Sequence, residues 1–406
     1  MTMAGSALLA GVRVIDLTTV VFGPLTTQIL ADYGADVIKI EPLEGDIMRH
    51  AGQAAHGGMG PIFLNLNRGK RSVAIDLKSA DGRAAINALL ASADIFVHNV
   101  RRAAIDRLGL SYETVSQANP RILYCMATGF SPNNSRADAA AIDDVIQSAA
   151  GIAALNADAD GVPRLVQSLI ADKVAGVGLA CAILAALYKR AVTGHGGLVD
   201  VPMYETVAAF TLLEHLQGHT FDPPTSSPGY HRVMGDGRRI YRARDGYLSM
   251  TPYSRDHWIA FFHATGRPEL TSDPRITDPV QRNANVVSLY DLIGVVAGDR
   301  TVGEWEALAA QIGFPAQRVA GLADVIADPD LERTETLVSR AHPGIGQAKM
   351  LASPGYFDGH AARHPGVAPR LGEHTEEVLA EAGLPPSAIA RLAADGVIKV
   401  AEASHD

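Results

Sequence analysis

The residue best placed to do chemistry in this chain is Asp172, in the run Ser168-Leu169-Ile170-Ala171-Asp172-Lys173-Val174-Ala175-Gly176. It stands directly before an apolar stretch rich in Ala and Gly, Val174 to Tyr188, that reads as a helix. Amides at a helix N-terminus favour negative charge, so a carboxylate there can be desolvated and still ionised. That is the state a nucleophilic carboxylate needs. The competing reading is an N-cap aspartate with structural work only.

Two basic clusters could receive anions. One is Asn67-Arg68-Gly69-Lys70-Arg71, with Lys78 shortly after; the other is Asn99-Val100-Arg101-Arg102, with Arg107 further on. Each alone reads as a solvated face. Two such clusters at loop positions on a parallel sheet, in a chain of net charge -9, could together hold several phosphates.

Other chemistries find little support. Glu41 ends a strand in a βαβ opening, as in a dinucleotide site, but the first turn reads Thr18-Thr19-Val20-Val21-Phe22-Gly23 and lacks the glycines that let a backbone approach a pyrophosphate. No nicotinamide site is expected. His215 with His219, and His360 with His364, sit four apart beside glycines, without the Glu of H-E-x-x-H. No C-x-x-C and no G-x-S-x-G occurs, so neither a metal site nor a serine-hydrolase elbow is expected. Cys125 and Cys181 lie in apolar surroundings and do not read as a disulfide framework.

The elements that must position these residues alternate between strand and helix. Val12 to Leu17 reads as a strand, Gly23-Pro24 starts a helix closed by Gly34, and Asp36 to Glu41 is the next strand. Strands follow at Ser72 to Leu77, Ile95 to Val97 and Ile122 to Ala127, with helices at Ser79 to Ser92, Ala104 to Arg107 and Tyr112 to Gln117. The pattern implies an α/β fold with a parallel sheet. After the apolar helix come a turn at Thr193 to Gly197, a strand at Leu198 to Val201 and a helix at Met203 to Gln217. His219 to Arg232, rich in Pro, Ser and Gly, reads as a linker to a smaller unit with a strand at Tyr247 to Met250 and a helix at Thr301 to Gly313. A second transition falls near Ala323 to Ala327, and two helices, Thr375 to Ala382 and Pro386 to Ala394, end the chain.

At 406 residues the chain has room for two domains, taking roughly 100–200 residues for each. The acidic balance argues against a nucleic-acid partner, which a basic domain would announce. Two cysteines fit the reducing cytoplasm. Met1 to Ala10 lacks a basic n-region and a full apolar core, so no secretory signal is expected. Val174 to Tyr188 falls short of the roughly 20 residues that span a bilayer and reads as a buried helix, not a membrane segment.

Taken in order, several segments resemble the class III CoA-transferases, the CaiB/BaiF-like family of formyl-CoA transferase and its carnitine and bile-acid relatives. They are Gly11 to Thr18 with Gly23-Pro24, Leu30 to Pro42, Asn67 to Ser72, Asp76-Leu77-Lys78, Asp106 to Leu110, Thr193 to Gly196 and Leu371 to Thr375. The resemblance covers about Leu9 to Val397.

The resemblance implies that Asp172 attacks an acyl-CoA thioester to form a mixed anhydride, then an aspartyl-CoA thioester, from which an acceptor acid takes the CoA. It implies CoA contacts at Lys78, Asn99 and Arg107, with Arg71 and Arg101 as further candidates. CoA and acyl-CoA are then substrates, with a carboxylic acid as acceptor, no permanently bound cofactor and no metal. The architecture it implies is a large Rossmann-like parallel-sheet domain (1–205), a linker (206–230), a smaller α+β domain (231–325) and a C-terminal segment (326–406) returning to the large domain, in a ring-like chain that interlocks as a homodimer.

This sequence departs from the family pattern at several places, and the glycine-rich lid of formyl-CoA transferases has no counterpart. Gly129-Phe130 is followed by Ser131-Pro132-Asn133-Asn134-Ser135 instead of a glycine-rich stretch, with Arg136 upstream of the usual basic position. Val21 stands where formyl-CoA transferases have a glutamine, which turns the expectation away from oxalate and formate. Ile142 stands where the family's 2-methylacyl-CoA racemases have a histidine, and an isoleucine cannot move a proton. The racemase and a non-catalytic acyl-CoA-binding protein are the alternatives to the transferase.

Overall fold

Runs of branched aliphatic residues build a seven-stranded sheet. Its strands are β1 (Arg13–Leu17), β2 (Asp36–Glu41), β3 (Arg71–Ile75), β4 (Ile95–His98), β5 (Leu123–Thr128), β6 (Gly197–Pro202) and β7 (Ile398–Lys399). The structure, a computed structural model, describes residues 8–52, 58–234, 238–362 and 366–401. The strand order is β7-β3-β2-β1-β4-β5-β6. All neighbours are parallel except β7, which runs antiparallel to β3. The parallel part has the doubly wound order 3-2-1-4-5-6.

Helices cover both faces, which is why the strands are apolar along most of their length. Successive side chains point to opposite faces. Ile15, Ile38, Phe96 and Tyr124 pack in one layer with Ile86 and Leu89 of α2 (Ala80–Leu90), and with Val378 and Leu392 of the C-terminal helices. Val14, Val37, Ile95 and Leu123 pack in the other with Leu30 of α1 (Phe22–Asp32) and with Ala175, Leu179 and Ile183 of a long helix.

That long helix starts earlier than Val174. Among the described residues, α3 (Arg102–Arg107) and α4 (Asp143–Ala149) precede it, and it is α5, Ile170–Thr193, 24 residues. The expectation that it is too short to span a bilayer therefore fails on length. It is nonetheless a packed helix, with Ala171, Ala175, Leu179 and Ile183 buried against the sheet. Small residues let it approach α1 closely: a side chain on Gly176 would come within 3.0 Å of the Phe22 carbonyl oxygen. Thr26 Oγ1 donates to the Gly176 carbonyl at 3.0 Å across this contact.

The chain divides into two compact units, one of residues up to 211 with those from 329 on, the other of residues 212–328. The helix Met203–His215 runs through the expected boundary at residue 205. The second unit has a three-stranded antiparallel sheet, Tyr241–Arg242, Tyr247–Met250 and Ala316–Arg318, and a core of Trp258, Phe261, Leu289 and Trp305. Helix Val302–Ile312 is held by a Thr301/Glu304 capping box and ends at Gly313, φ +91°.

Candidate active site

The strand order reverses between β1 and β4, so the helices that follow them leave to opposite faces and open a crevice at the carboxyl ends of the two strands. A cavity of about 630 Å³ lies there, lined by Thr19, Val20, Asn99, Arg101, Arg107, Gly129, Ile142, Asp143 and Asp172 among others.

Asp172 is the third residue of α5 and 7% exposed. It is not the N-cap; Leu169 holds that position without a side-chain hydrogen bond. The helix end is served instead by Asp143 of α4, whose Oδ1 accepts from the amides of Ala171 at 2.8 Å and Asp172 at 3.1 Å. Gln147, one turn along α4 and fully buried, donates through Nε2 to Asp143 Oδ2 and accepts from the Val166 amide through Oε1 at 2.9 Å. This network fixes the start of α5 from 29 residues away.

The Asp172 carboxylate accepts no hydrogen bond among the described residues. Burial, then the charge of Asp143, pushes its pKa up to about 6. The expectation that helix amides would favour its charge is corrected: Asp143 takes those amides and adds a like charge. At pH 7 Asp172 is still mostly ionised, desolvated and unpaired, which is a reactive condition for a carboxylate.

Another part of the wall is a strained turn. Val20 has φ +72°, a conformation disfavoured for a β-branched residue. Asn99, just past β4, holds this turn by accepting from the Thr19 amide at 3.1 Å and donating to the Thr19 carbonyl at 2.8 Å. Fully buried Lys39 donates to the Thr18 carbonyl at 2.8 Å, and Asp16 accepts from the Thr18 amide at 3.0 Å. Val21 is buried and does not line the cavity; Val20 and Phe22 do.

Arg101 and Arg107 are exposed at the cavity and form no ion pair among the described residues. Arg102 between them is tied to Asp200 at 2.7 Å. The structure thus brings Asp172, Asn99, Arg101 and Arg107 together. Arg71 and Lys78 do not line this cavity. Arg71 begins β3, at the amino edge of the sheet, where it binds Asp36, Glu377 and Glu381. Lys78 follows β3 at the carboxyl edge, but β3 is two strands from β1, roughly 10 Å at the usual spacing.

The loop after β5 is rigidified without a glycine-rich run. A side chain on Gly129 would meet the Ala141 Cβ at 2.3 Å, so the wall needs glycine there. Glu205 accepts from the Ser131 amide at 3.2 Å and from Asn134 Nδ2 at 2.8 Å. The Arg136 guanidinium lies over the rings of Phe130 and Tyr204, at 4.6 and 4.4 Å from their centroids.

Residues missed from the sequence are Asp143, Gln147 and Lys39. The i, i+4 spacing of Asp143 and Gln147 was visible; their purpose needs the distant helix. Among the described residues no group of three His, Cys, Asp or Glu could hold a metal. His215 Nδ1 is taken by the Tyr230 amide at 3.1 Å, and His364 lies outside the described residues.

With this geometry in view, comparison with known proteins gives a consistent result. Residues 9–375 match CoA-transferase family III. An acyl-CoA transferase of Fusarium pseudograminearum is 32% identical over 403 residues, covering 96% of this chain and 88% of the relative. The succinyl-CoA--D-citramalate CoA-transferase of Chloroflexus aurantiacus is 29% identical, covering 95% and 97%. Among solved structures, Rv3272 of Mycobacterium tuberculosis superposes with TM-score 0.81 at 26% identity over 92% of this chain and 99% of that one. A CaiB/BaiF family protein of Brucella suis gives 0.78 at 29% identity, covering 92% and 99%.

Proposed function

The chain belongs to CoA-transferase family III, and from that membership we propose that it moves CoA between carboxylic acids with Asp172 as the covalent nucleophile. The observation that carries this reading is the unpaired, buried carboxylate of Asp172 in the cavity that also holds Asn99, Arg101 and Arg107.

In the first step an Asp172 oxygen attacks the acyl-CoA carbonyl carbon. The C–S bond breaks, CoA leaves as thiolate and a mixed anhydride remains. The thiolate then attacks the aspartyl carbonyl, releasing the donor acid and leaving an aspartyl-CoA thioester. The acceptor carboxylate attacks that thioester, giving a new anhydride and the thiolate. Thiolate attack on the acceptor's acyl carbon yields the new acyl-CoA and regenerates Asp172. The thioester's free energy stays in covalent intermediates throughout, and burial guards them from water. No resident cofactor takes part. Arg101 and Arg107 are assigned to the CoA phosphates.

As part of this reading we propose a cytoplasmic homodimer. Val177, Tyr188 and Val192 on the outer side of α5, with Phe210, are exposed apolar side chains that a second copy would cover. The acidic net charge supports neither a nucleic-acid partner nor an anionic membrane surface.

The test is CoA transfer from a panel of acyl-CoAs to free acids by wild type and Asp172→Ala. Transfer by wild type alone supports the reading. Binding of acyl-CoA with no transfer would favour the non-catalytic alternative, and deuterium wash-in at the α-carbon without acceptor would favour the racemase.

A further inference from the structure

The cavity is polarised across the sheet. Arg101, Arg102 and Arg107 belong to the segment following β4, on the side of α3, whose Ile105 packs in the α2 layer. Asp143 and Asp172 belong to α4 and α5, whose apolar residues pack in the other layer with α1. Two cations of this second side are already engaged. The Arg136 guanidinium is stacked on Phe130 and Tyr204, and Lys173 Nζ donates to Ser168 Oγ at 2.5 Å.

The cavity that holds Asp172 also has exposed aliphatic lining. Ile142, adjacent to Asp143, is 63% exposed, and Val20 is 39% exposed; both line the cavity. The left-handed turn that Asn99 secures presents a branched aliphatic residue where glycine would be unstrained.

We propose that the acyl group handled beside Asp172 is an aliphatic one with no second charge, and that Ile142 and Val20 form the wall that selects it. This rests on the transferase reading of the same cavity. A second carboxylate on the acyl chain would enter among Asp143 and Asp172, on the side of the cavity away from the α3 arginines, losing hydration against like charges. An alkyl chain of equal length loses nothing and covers exposed apolar surface, strengthening binding by roughly fourfold per buried methylene. The uncommitted arginines, on the other side, remain for the phosphates of CoA.

Butyryl-CoA and succinyl-CoA test this directly, because they differ in a methyl against a carboxylate at the chain end. With acetate as acceptor, kcat/KM for butyryl-CoA should exceed that for succinyl-CoA by about 100-fold or more. Ile142→Arg should narrow the ratio by about tenfold or more by supplying a cation. Ile142→Glu should widen it, and serves if the arginine variant fails to fold. Butyryl transfer with succinyl-CoA used equally well or better overturns the proposal and leaves the transferase reading intact. Transfer from neither these donors nor any other acyl-CoA overturns both.

Discussion

One oxygen of Asp143 holds the backbone of Asp172 in place, accepting from the amides of Ala171 and Asp172 at 2.8 and 3.1 Å. The same carboxylate raises the proton affinity of Asp172. After burial, the larger cause of that rise, one neighbour thus affects both the position and the proton affinity of the proposed nucleophile. Asp143→Asn removes the charge, so the acid limb of kcat/KM should move to lower pH. Asp143→Ala removes the acceptor as well and should lower stability by about 1–3 kcal/mol, with loss of activity. Thermal unfolding and pH–rate profiles of both variants check this.

Burial of Asp172 has a sign that can be measured. Its folded pKa, about 6, lies above the ordinary aspartate value of 3.8. The folded state therefore binds the proton more tightly, and stability falls as pH rises from about 4 through about 6. Asp172→Asn should raise stability at pH 7.5, by up to about 3 kcal/mol, while abolishing transfer. The stability difference should disappear near pH 4. Denaturant unfolding at the two pH values is the measurement.

The same ionisation governs rate. In the proposed mechanism only the carboxylate form attacks, so kcat/KM should fall about tenfold per unit below pH 6. A steady-state profile with a donor whose own groups do not titrate between pH 5 and 8 isolates it.

The arginines divide by position. Arg107→Ala should raise KM for acyl-CoA about tenfold with kcat little changed, and the effect should shrink in high salt. Arg71→Ala should leave KM unchanged and lower the melting temperature, because it ties β2 and β3 to the helix Thr375–Glu381 through Asp36, Glu377 and Glu381.

Asn99→Ala frees both polar groups of Thr19 and lets the Val20 turn relax. Both kcat and KM should worsen, in contrast to Arg107→Ala, because this part of the cavity wall moves. Asn99→Asp, which keeps the acceptor and loses the donor, should recover part of the activity.

Much of the sheet was legible because period and punctuation are local signals. Asp36–Glu41 and Tyr247–Met250 form strands with the expected bounds. The start of α5 was not, since nothing near Leu169 caps it; the cap is Asp143, brought in by tertiary folding. Arg71 and Arg107 sit in similar basic clusters, and what separates them is order along the chain. Arg71 precedes a parallel strand and lands at the amino edge, whereas Asn99 to Arg107 follow one and land at the carboxyl edge, where the crevice opens. Lys78 also follows a strand, and only the pairing order puts it two strands away.

The central claim is covalent chemistry on Asp172. The most direct test is intact-mass and peptide-mass analysis of the protein incubated with acyl-CoAs and quenched with hydroxylamine, alongside Asp172→Ala. A hydroxamate is expected on the peptide that carries Asp172, formed with productive donors and absent from the variant. Efficient CoA transfer with no modification at Asp172, or equal transfer by Asp172→Ala, would contradict it.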